Sequence, residues 1–109
     1  MPVYEITEKN FEEMVLKSER PVLLEFGAEY CAPCISLAQI LKSLSDERRD
    51  VLVGVVDVEN SPLLAAKFGV MSMPAVIALN AGKVTGKLSD RISKEQVLGL
   101  IDNLVSTVL

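Results

Sequence analysis

The chain has 109 residues, of which half are apolar and 24% are charged, and its formal net charge is −4. This composition excludes an intrinsically disordered chain, and the length is sufficient for one domain with its own hydrophobic core. The acidic balance gives no support for nucleic-acid binding or for attachment to an anionic membrane. We therefore predict a single domain over residues 1–109, without nucleic-acid or membrane partners.

The amino terminus carries neither the basic cluster nor the apolar stretch of a secretory signal peptide. No apolar run elsewhere approaches the ~18–20 residues that a membrane helix requires. We therefore expect a cytoplasmic protein. In such a reducing compartment, a lone pair of neighbouring cysteines is more often catalytic than structural.

The first quarter of the chain predicts a strand, a helix and a second strand. Residues 3–6 form the first strand candidate. Thr7 is a suitable N-cap for a helix with apolar residues at helical spacing, and this helix is expected to end before Pro21. Residues 22–26 then predict a buried strand that is interrupted by one acid, Glu25.

Two cysteines, Cys31 and Cys34, separate that strand from a long amphipathic helix predicted over residues 35–49. The dipole and the free backbone N–H groups of a helix N-terminus stabilise a thiolate, so Cys31 is the predicted nucleophile. Cys34 lies one turn further in and is the predicted resolving thiol. Glu25 is the candidate base that takes the proton of Cys34, because a buried carboxylate has a raised pKa. The pattern indicates a thiol–disulfide redox centre.

Other uses of the cysteine pair have less support from the sequence. A closed zinc site needs four ligands, and the chain has two cysteines and no histidine, so one chain cannot build it. A metal site or iron–sulfur cluster shared between two chains stays open. A purely structural disulfide would close a loop of only four residues, which removes little entropy from the unfolded chain. We predict no metal and no bound cofactor.

The middle of the chain predicts a central strand followed by a short helix. Residues 51–58 are β-branched and nearly all apolar, as in strands that are covered on both faces. Ser61 and Pro62 stand in the favoured order for an N-cap and a first helical residue. Gly69 is a suitable residue to end this helix.

The last third predicts a hairpin and a final helix. Residues 75–79 and 83–88 flank a turn in which Gly82 supplies a positive φ angle. A capping box opens the final helix at Ser93, and its apolar stripe continues to Val108. The predicted order is β-α-β-α-β-α-β-β-α, an α/β fold with a mixed sheet and helices on both faces.

Three segments resemble the thioredoxin family. Residues 22–34 are similar to its strand, buried acid and redox motif, here Cys-Ala-Pro-Cys; residues 57–62 are similar to its third-strand exit, and residues 68–74 to the segment with its cis-proline. The resemblance runs from about residue 3 to the carboxyl terminus. It implies the thioredoxin fold, with a central mixed sheet of about five strands flanked by four helices.

The resemblance also implies a substrate site and partners. The Met73–Pro74 bond is expected to be cis and to face Cys31, which leaves the Met73 backbone free to pair with an extended substrate. The remaining active-site motif residues are Tyr30, Ala32 and Pro33. Expected partners are disulfide-containing protein substrates and a thioredoxin reductase, and the protein is expected to be a monomer.

The chain departs from the family pattern around the site. Gly27 and Tyr30 stand in place of tryptophans, Ala32 and Asp90 in place of glycines, Gln39 in place of a proline, Glu25 in place of an aspartate, and Val55 in place of a lysine. The change at Val55 removes a cation from the neighbourhood of Glu25. Burial without a cation is expected to raise the pKa of this acid towards neutrality.

The function that the sequence favours is the reduction of protein disulfides through a reversible Cys31–Cys34 disulfide. Two alternatives remain at this point. One is a thioredoxin-fold disulfide oxidase or isomerase, and the other is a non-catalytic interaction module or a shared metal or cluster binder. The physiological substrates, the electron-donating reductase and the redox potential do not follow from the sequence.

Overall fold

A computed structural model of the chain describes residues 3–106. Within these residues, five strands form one mixed sheet in the order β1-β3-β2-β4-β5. Their bounds are β1 Tyr4–Glu5, β2 Val22–Gly27, β3 Leu52–Asp57, β4 Ala75–Asn80 and β5 Lys83–Ser89. Strand β3 pairs in parallel with β1 and β2, whereas β4 pairs antiparallel with β2 and β5. The predicted α/β class, with a central mixed sheet of about five strands and flanking helices, is confirmed.

The described residues also contain one π-helix and three α-helices. These are the π-helix Glu12–Leu16, α1 Ala32–Glu47, α2 Pro62–Lys67 and α3 Lys94–Ser106. None of the helices in the described part of the chain is long and apolar enough to cross a membrane.

Alternating side chains of the central strand β2 belong to two hydrophobic clusters, one on each face of the sheet. Leu24 and Phe26 belong to the cluster that includes residues of the π-helix and α2. Leu23 belongs to the other cluster, with residues of α1 and α3. Since side chains alternate along a strand, Glu25 lies on the same face as Leu23. The acid therefore lies on the face that α1 covers.

The predicted first helix was wrong in form and extent. We expected a helix that follows an N-cap at Thr7 and ends before Pro21, whereas residues 8–10 form a turn and the π-helix begins at Glu12. The side chain of Asn10 accepts a hydrogen bond from the Thr7 N–H (2.8 Å), which stabilises a separate turn. The Lys17 N–H then donates to the Glu12 carbonyl five residues earlier (3.0 Å), which is the wider winding of a π-helix.

Helix α1 begins three residues before the predicted residue 35 and ends two residues before the predicted residue 49, whereas the starts of α2 and α3 agree with the prediction. Helix α2 begins at Pro62 after Ser61 at the N-cap, although the Ser61 side chain makes no capping hydrogen bond. Gly69 has a φ angle of 64°, which suits the residue that ends a helix. At the start of α3, the Ser93 hydroxyl accepts from the Gln96 N–H (3.1 Å), and the Gln96 side chain accepts from the Ser93 N–H (2.8 Å).

The hairpin between β4 and β5 is present and closes through two residues with positive φ. Ala81 has a φ angle of 53° and Gly82 of 80°, so this turn places an alanine as well as the predicted glycine in the left-handed region. That pair of angles is typical of the tight turns that match the twist of a hairpin. The predicted extension of the last apolar stripe to Val108 lies outside the described residues.

Candidate active site

The two cysteines lie where the chain leaves the central strand and enters α1. A disulfide joins Cys31 and Cys34, whose Cα atoms are 5.2 Å apart. Cys31 is the N-cap of α1 and has an extended backbone, and its sulfur accepts a hydrogen bond from the Cys34 N–H (3.3 Å). Pro33 lies in the first turn, where a missing N–H leaves no helical hydrogen bond unmade. The predicted N-cap position of Cys31 is confirmed.

The surroundings give the two sulfurs different access to partners. Cys34 is buried, with 4% of its surface exposed, whereas Cys31 is half-buried. Tyr30 precedes the pair and is 69% exposed, and Ala32 and Pro33 are exposed as well. A protein that approaches this end of the sheet therefore meets Cys31 and its neighbours before Cys34.

Glu25 is a buried acid in the middle of the sheet. Only 3% of its surface is exposed, and in register it lies between Val55 on β3 and Val76 on β4. Its Oε2 atom has no hydrogen-bond partner among the described residues. Burial raises the pKa of Glu25 from 4.5 to about 7, because the carboxylate has lost its hydration. The residue thus has the pKa that the sequence suggested.

Gly27, the last residue of β2, explains how the acid and the inner cysteine come together. A Cβ atom on Gly27 would lie 2.8 Å from the Cβ atom of Cys34 and 3.0 Å from its sulfur. The same point is 3.6 Å from Oε2 of Glu25. A Cβ atom at residue 27 would force Cys34 to shift, so Gly27 allows Cys34 to lie this close to the strand beside Glu25. A glycine at a strand end is the signal of such a close approach.

An open cavity of about 240 Å³ adjoins this contact. Its walls come from β2, β3, α1 and the loop before α1, and they include Glu25, Gly27, Cys34 and Val55. The sequence indicated that Gly27 and Val55 replace larger family residues, but it did not indicate that a cavity results. Cavities follow from the relative positions of elements that are distant in sequence.

A cleft lies between the start of α1 and the loop before β4. Its lining includes Pro33, Met73, Pro74 and Asp90. The Met73–Pro74 bond is cis, as the family resemblance implied. Pro74 is buried and Met73 is half-buried. The fold thus brings the proline of the redox motif and the predicted substrate-binding pair to one surface.

The residues that could hold a metal do not converge. No group of three or more histidine, cysteine, aspartate or glutamate side chains in the described part of the chain is arranged to hold a metal ion. Asp57, a carboxylate at the end of β3 that lines the same cavity as Cys34, accepts hydrogen bonds from the Glu59 N–H (2.9 Å) and the Asn60 side chain (3.3 Å). It stabilises the turn after β3.

Comparison with known proteins places this geometry in a family. The thioredoxin family model matches residues 2–103. The chain belongs to the thioredoxin family. Among curated relatives, the thioredoxin of Buchnera aphidicola is 32% identical over 95% of this chain and 97% of its own length. The thioredoxin of Rickettsia bellii is 39% identical over 72% of this chain and 75% of its own length.

A third relative joins the same domain to another one. It is the bifunctional thioredoxin reductase/thioredoxin of Mycobacterium leprae, which is 32% identical over 93% of this chain and 22% of its own length. Together with the cysteine pair, family membership makes this chain a thiol–disulfide oxidoreductase with protein-disulfide reductase activity. Thioredoxin-family partners are disulfide-containing substrates and a thioredoxin reductase.

Proposed function

We propose that Cys31 is the nucleophile that attacks protein disulfides and that Cys34 resolves the resulting intermediate. The observation that supports this assignment is the unequal access of the two sulfurs, since Cys31 is half-buried at a helix N-cap and Cys34 is buried. Only the outer sulfur can reach a disulfide on the surface of another protein. A helix N-terminus also favours its thiolate form, and thioredoxin itself is a known example of a lowered cysteine pKa.

The exchange consists of two displacements. The Cys31 thiolate attacks one sulfur of the substrate disulfide, the substrate S–S bond breaks, and one substrate thiolate leaves. Cys34 then loses its proton and attacks the Cys31 sulfur, which releases the second substrate thiolate. The substrate gains two electrons, and the protein is left with the Cys31–Cys34 disulfide that the structure contains.

Glu25 is the proposed acceptor of the Cys34 proton. Its carboxyl oxygen and the Cys34 sulfur both border the position of the missing Gly27 side chain. A pKa of about 7 allows the carboxylate to take a proton near neutral pH and to lose it again after the reaction. No other carboxylate that lines the adjoining cavity is as deeply buried as Glu25 in the described structure.

The cleft beside the cis-proline is the proposed substrate site. We infer that the backbone of Met73 pairs with an extended segment of the substrate, while Tyr30, Ala32 and Pro33 form the neighbouring contact surface. The exposure of these three residues and the shared lining of the cleft by Pro33 and Pro74 support this assignment.

We further propose that residues 1–109 form one thioredoxin domain, and that the protein is a cytoplasmic monomer that a thioredoxin reductase returns to the dithiol form. The relative that combines a thioredoxin reductase and a thioredoxin in one chain supports a reductase as the electron donor. The donor supplies the two electrons that the substrate received, so the cycle closes without a bound cofactor.

The first test is the reduction of insulin disulfides by dithiothreitol with catalytic amounts of the protein. We expect clear acceleration by the unchanged chain and none by Cys31→Ser, because the serine oxygen cannot form the mixed disulfide. Ser36→Ala changes an exposed residue on the same helix and is expected to retain the activity. No acceleration by the unchanged chain would contradict the proposed function.

The order of the two thiols is tested by trapping. A Cys34→Ser variant lacks the resolving sulfur, so it is expected to accumulate a covalent complex with a disulfide-containing protein that dithiothreitol releases. Cys31→Ser is expected to form no such complex, because Cys34 is buried. Equal trapping by both variants would overturn the assignment of Cys31 as the outer nucleophile.

A further inference from the structure

The cavity of about 240 Å³ beside Glu25 has the size of a binding site for a small molecule. An engineered apolar protein cavity of about 150 Å³ is large enough to bind benzene. The cavity here has apolar walls from both sides, with Ile35 and Ala38 from α1 and Val55 from β3. It therefore has room for one aromatic ring or a short hydrocarbon chain together with a polar group.

The charged groups that line the cavity all have the same sign. They are Glu25 from β2, Glu29 from the loop before α1 and Asp57 from β3, and the titratable residue from α1 is Cys34, which is in the disulfide. The described lining contains no lysine or arginine. An anionic ligand would be repelled here, whereas a cation would be attracted.

One oxygen in the wall lacks a partner. Oε2 of Glu25 is buried and accepts no hydrogen bond from any described residue. Since only 3% of the residue is exposed, bulk water does not replace the missing donor. A buried carboxylate without a partner is costly, and a charged donor placed against it removes much of that cost. A ligand with a hydrogen-bond donor at one end and an apolar body would satisfy both features of the site.

We propose that this cavity binds a small organic ammonium ion, with the ammonium group on Glu25 and the apolar body between α1 and β3. This site borders Cys34 and shares no lining residue with the substrate cleft at the cis-proline. Binding requires neither reduction of the disulfide nor a protein substrate. The proposal therefore goes beyond the disulfide reductase activity and is measured independently of it.

The probes are three molecules with the same ring: benzylamine, benzyl alcohol and benzoate. A titration of the oxidised protein, followed through its backbone amide NMR signals, is expected to show millimolar binding of benzylamine with shifts at Gly27 and Cys34. Because hydrogen bonds to charged groups are stronger than neutral ones, benzyl alcohol is expected to bind at least about tenfold more weakly. Benzoate is expected not to bind.

Two variants distinguish the contribution of the Glu25 charge to binding from the contribution of the cavity volume. Glu25→Gln keeps the size of the side chain but removes its charge, and we expect at least about tenfold weaker binding of benzylamine. Ala38→Leu keeps the charge but fills the cavity, and it is expected to abolish binding. The matched control Glu29→Gln alters an exposed rim charge and should weaken binding by no more than about fivefold. A single cooperative thermal transition in each variant confirms that the variants fold.

The pH dependence adds a second readout on the unchanged chain. Since the pKa of Glu25 is about 7, only a small part of the acid is ionised at pH 5. Affinity for benzylamine is therefore expected to be at least about tenfold weaker at pH 5 than at pH 8. Equal affinities of benzylamine and benzyl alcohol, an unchanged affinity in Glu25→Gln, or signal shifts confined to a different surface would each overturn the proposal.

Discussion

Glu25 is an acid at a position where the sheet offers only valines as neighbours. Its folded pKa of about 7 lies above the ordinary value of 4.5, and the cause is burial. Between these two values the native state retains a proton that the unfolded chain has lost. The free energy of unfolding therefore falls as pH rises through this window, and the loss is complete above pH 7.

At the residue scale we therefore predict that Glu25→Gln is more stable than the unchanged chain at pH 8. The expected gain is roughly 2–3 kcal/mol, and it should fall below about 1 kcal/mol at pH 5, which is only slightly above the ordinary pKa of 4.5. Urea denaturation at the two pH values measures the difference. Glu29→Gln is the control, because Glu29 is exposed and should show no comparable gain. A gain that is the same at both pH values would contradict a buried carboxylate as its cause.

Single residues also mark the limit of what the sequence could predict about the site. The cysteines and Glu25 could be identified because their chemistry is tied to residue type and spacing, and Pro74 could be identified through the family resemblance. Gly27 was recognised only as a replaced tryptophan. Its contact with Cys34 depends on the position of α1 over the sheet, and spacing along the chain does not contain that information.

At the element scale, the hairpin turn contains an identifiable source of strain. Ala81 has a φ angle of 53°, in the left-handed region that costs an L-residue with a Cβ atom roughly 1–2 kcal/mol. Gly82 follows at 80° without this cost. Asparagine followed by glycine is the preferred pair for such a turn.

We predict that Ala81→Asn stabilises the protein by about 0.5–1 kcal/mol, because asparagine tolerates the left-handed conformation better than alanine. Thermal or chemical denaturation measures the change. The same substitution at Ala66, which is exposed in the helix α2, is expected to cost about 0.5 kcal/mol. A loss of stability at both positions would show that the left-handed conformation of Ala81 does not reduce the stability of the protein.

Some helices and strands could be predicted from the sequence more accurately than others. The strands and α1 follow from apolar periodicity, and the start of α3 from its capping box. The first helix did not follow, because the turn at Asn10 and the wider winding after Glu12 depend on local hydrogen bonds that periodicity does not encode. Short elements have too few residues for a period to distinguish one helical form from another.

At the scale of the whole molecule, the sheet separates two hydrophobic clusters. Ile77 of β4 is fully buried in the cluster that includes residues of the π-helix and α2, and Ile101 of α3 is fully buried in the other. The backbone of the sheet lies between them. Losses of packing on the two faces should therefore be independent.

We predict that Ile77→Val and Ile101→Val each cost about 0.5–1.5 kcal/mol of unfolding free energy. The double variant is expected to lose the sum of the two within about 0.5 kcal/mol. Equilibrium denaturation of the four proteins gives the coupling energy directly. A coupling well above that value would mean that the two faces act as one core.

The Cys31 sulfur has two roles in this chain, because it also accepts the hydrogen bond of the Cys34 N–H in the first turn of α1. A thiolate accepts such a bond more strongly than a neutral disulfide does. The hydrogen bond that caps α1 therefore differs in strength between the thiolate and the disulfide form of Cys31. Reduction or oxidation of the cysteine pair thus changes the strength of a hydrogen bond to the backbone at the start of α1.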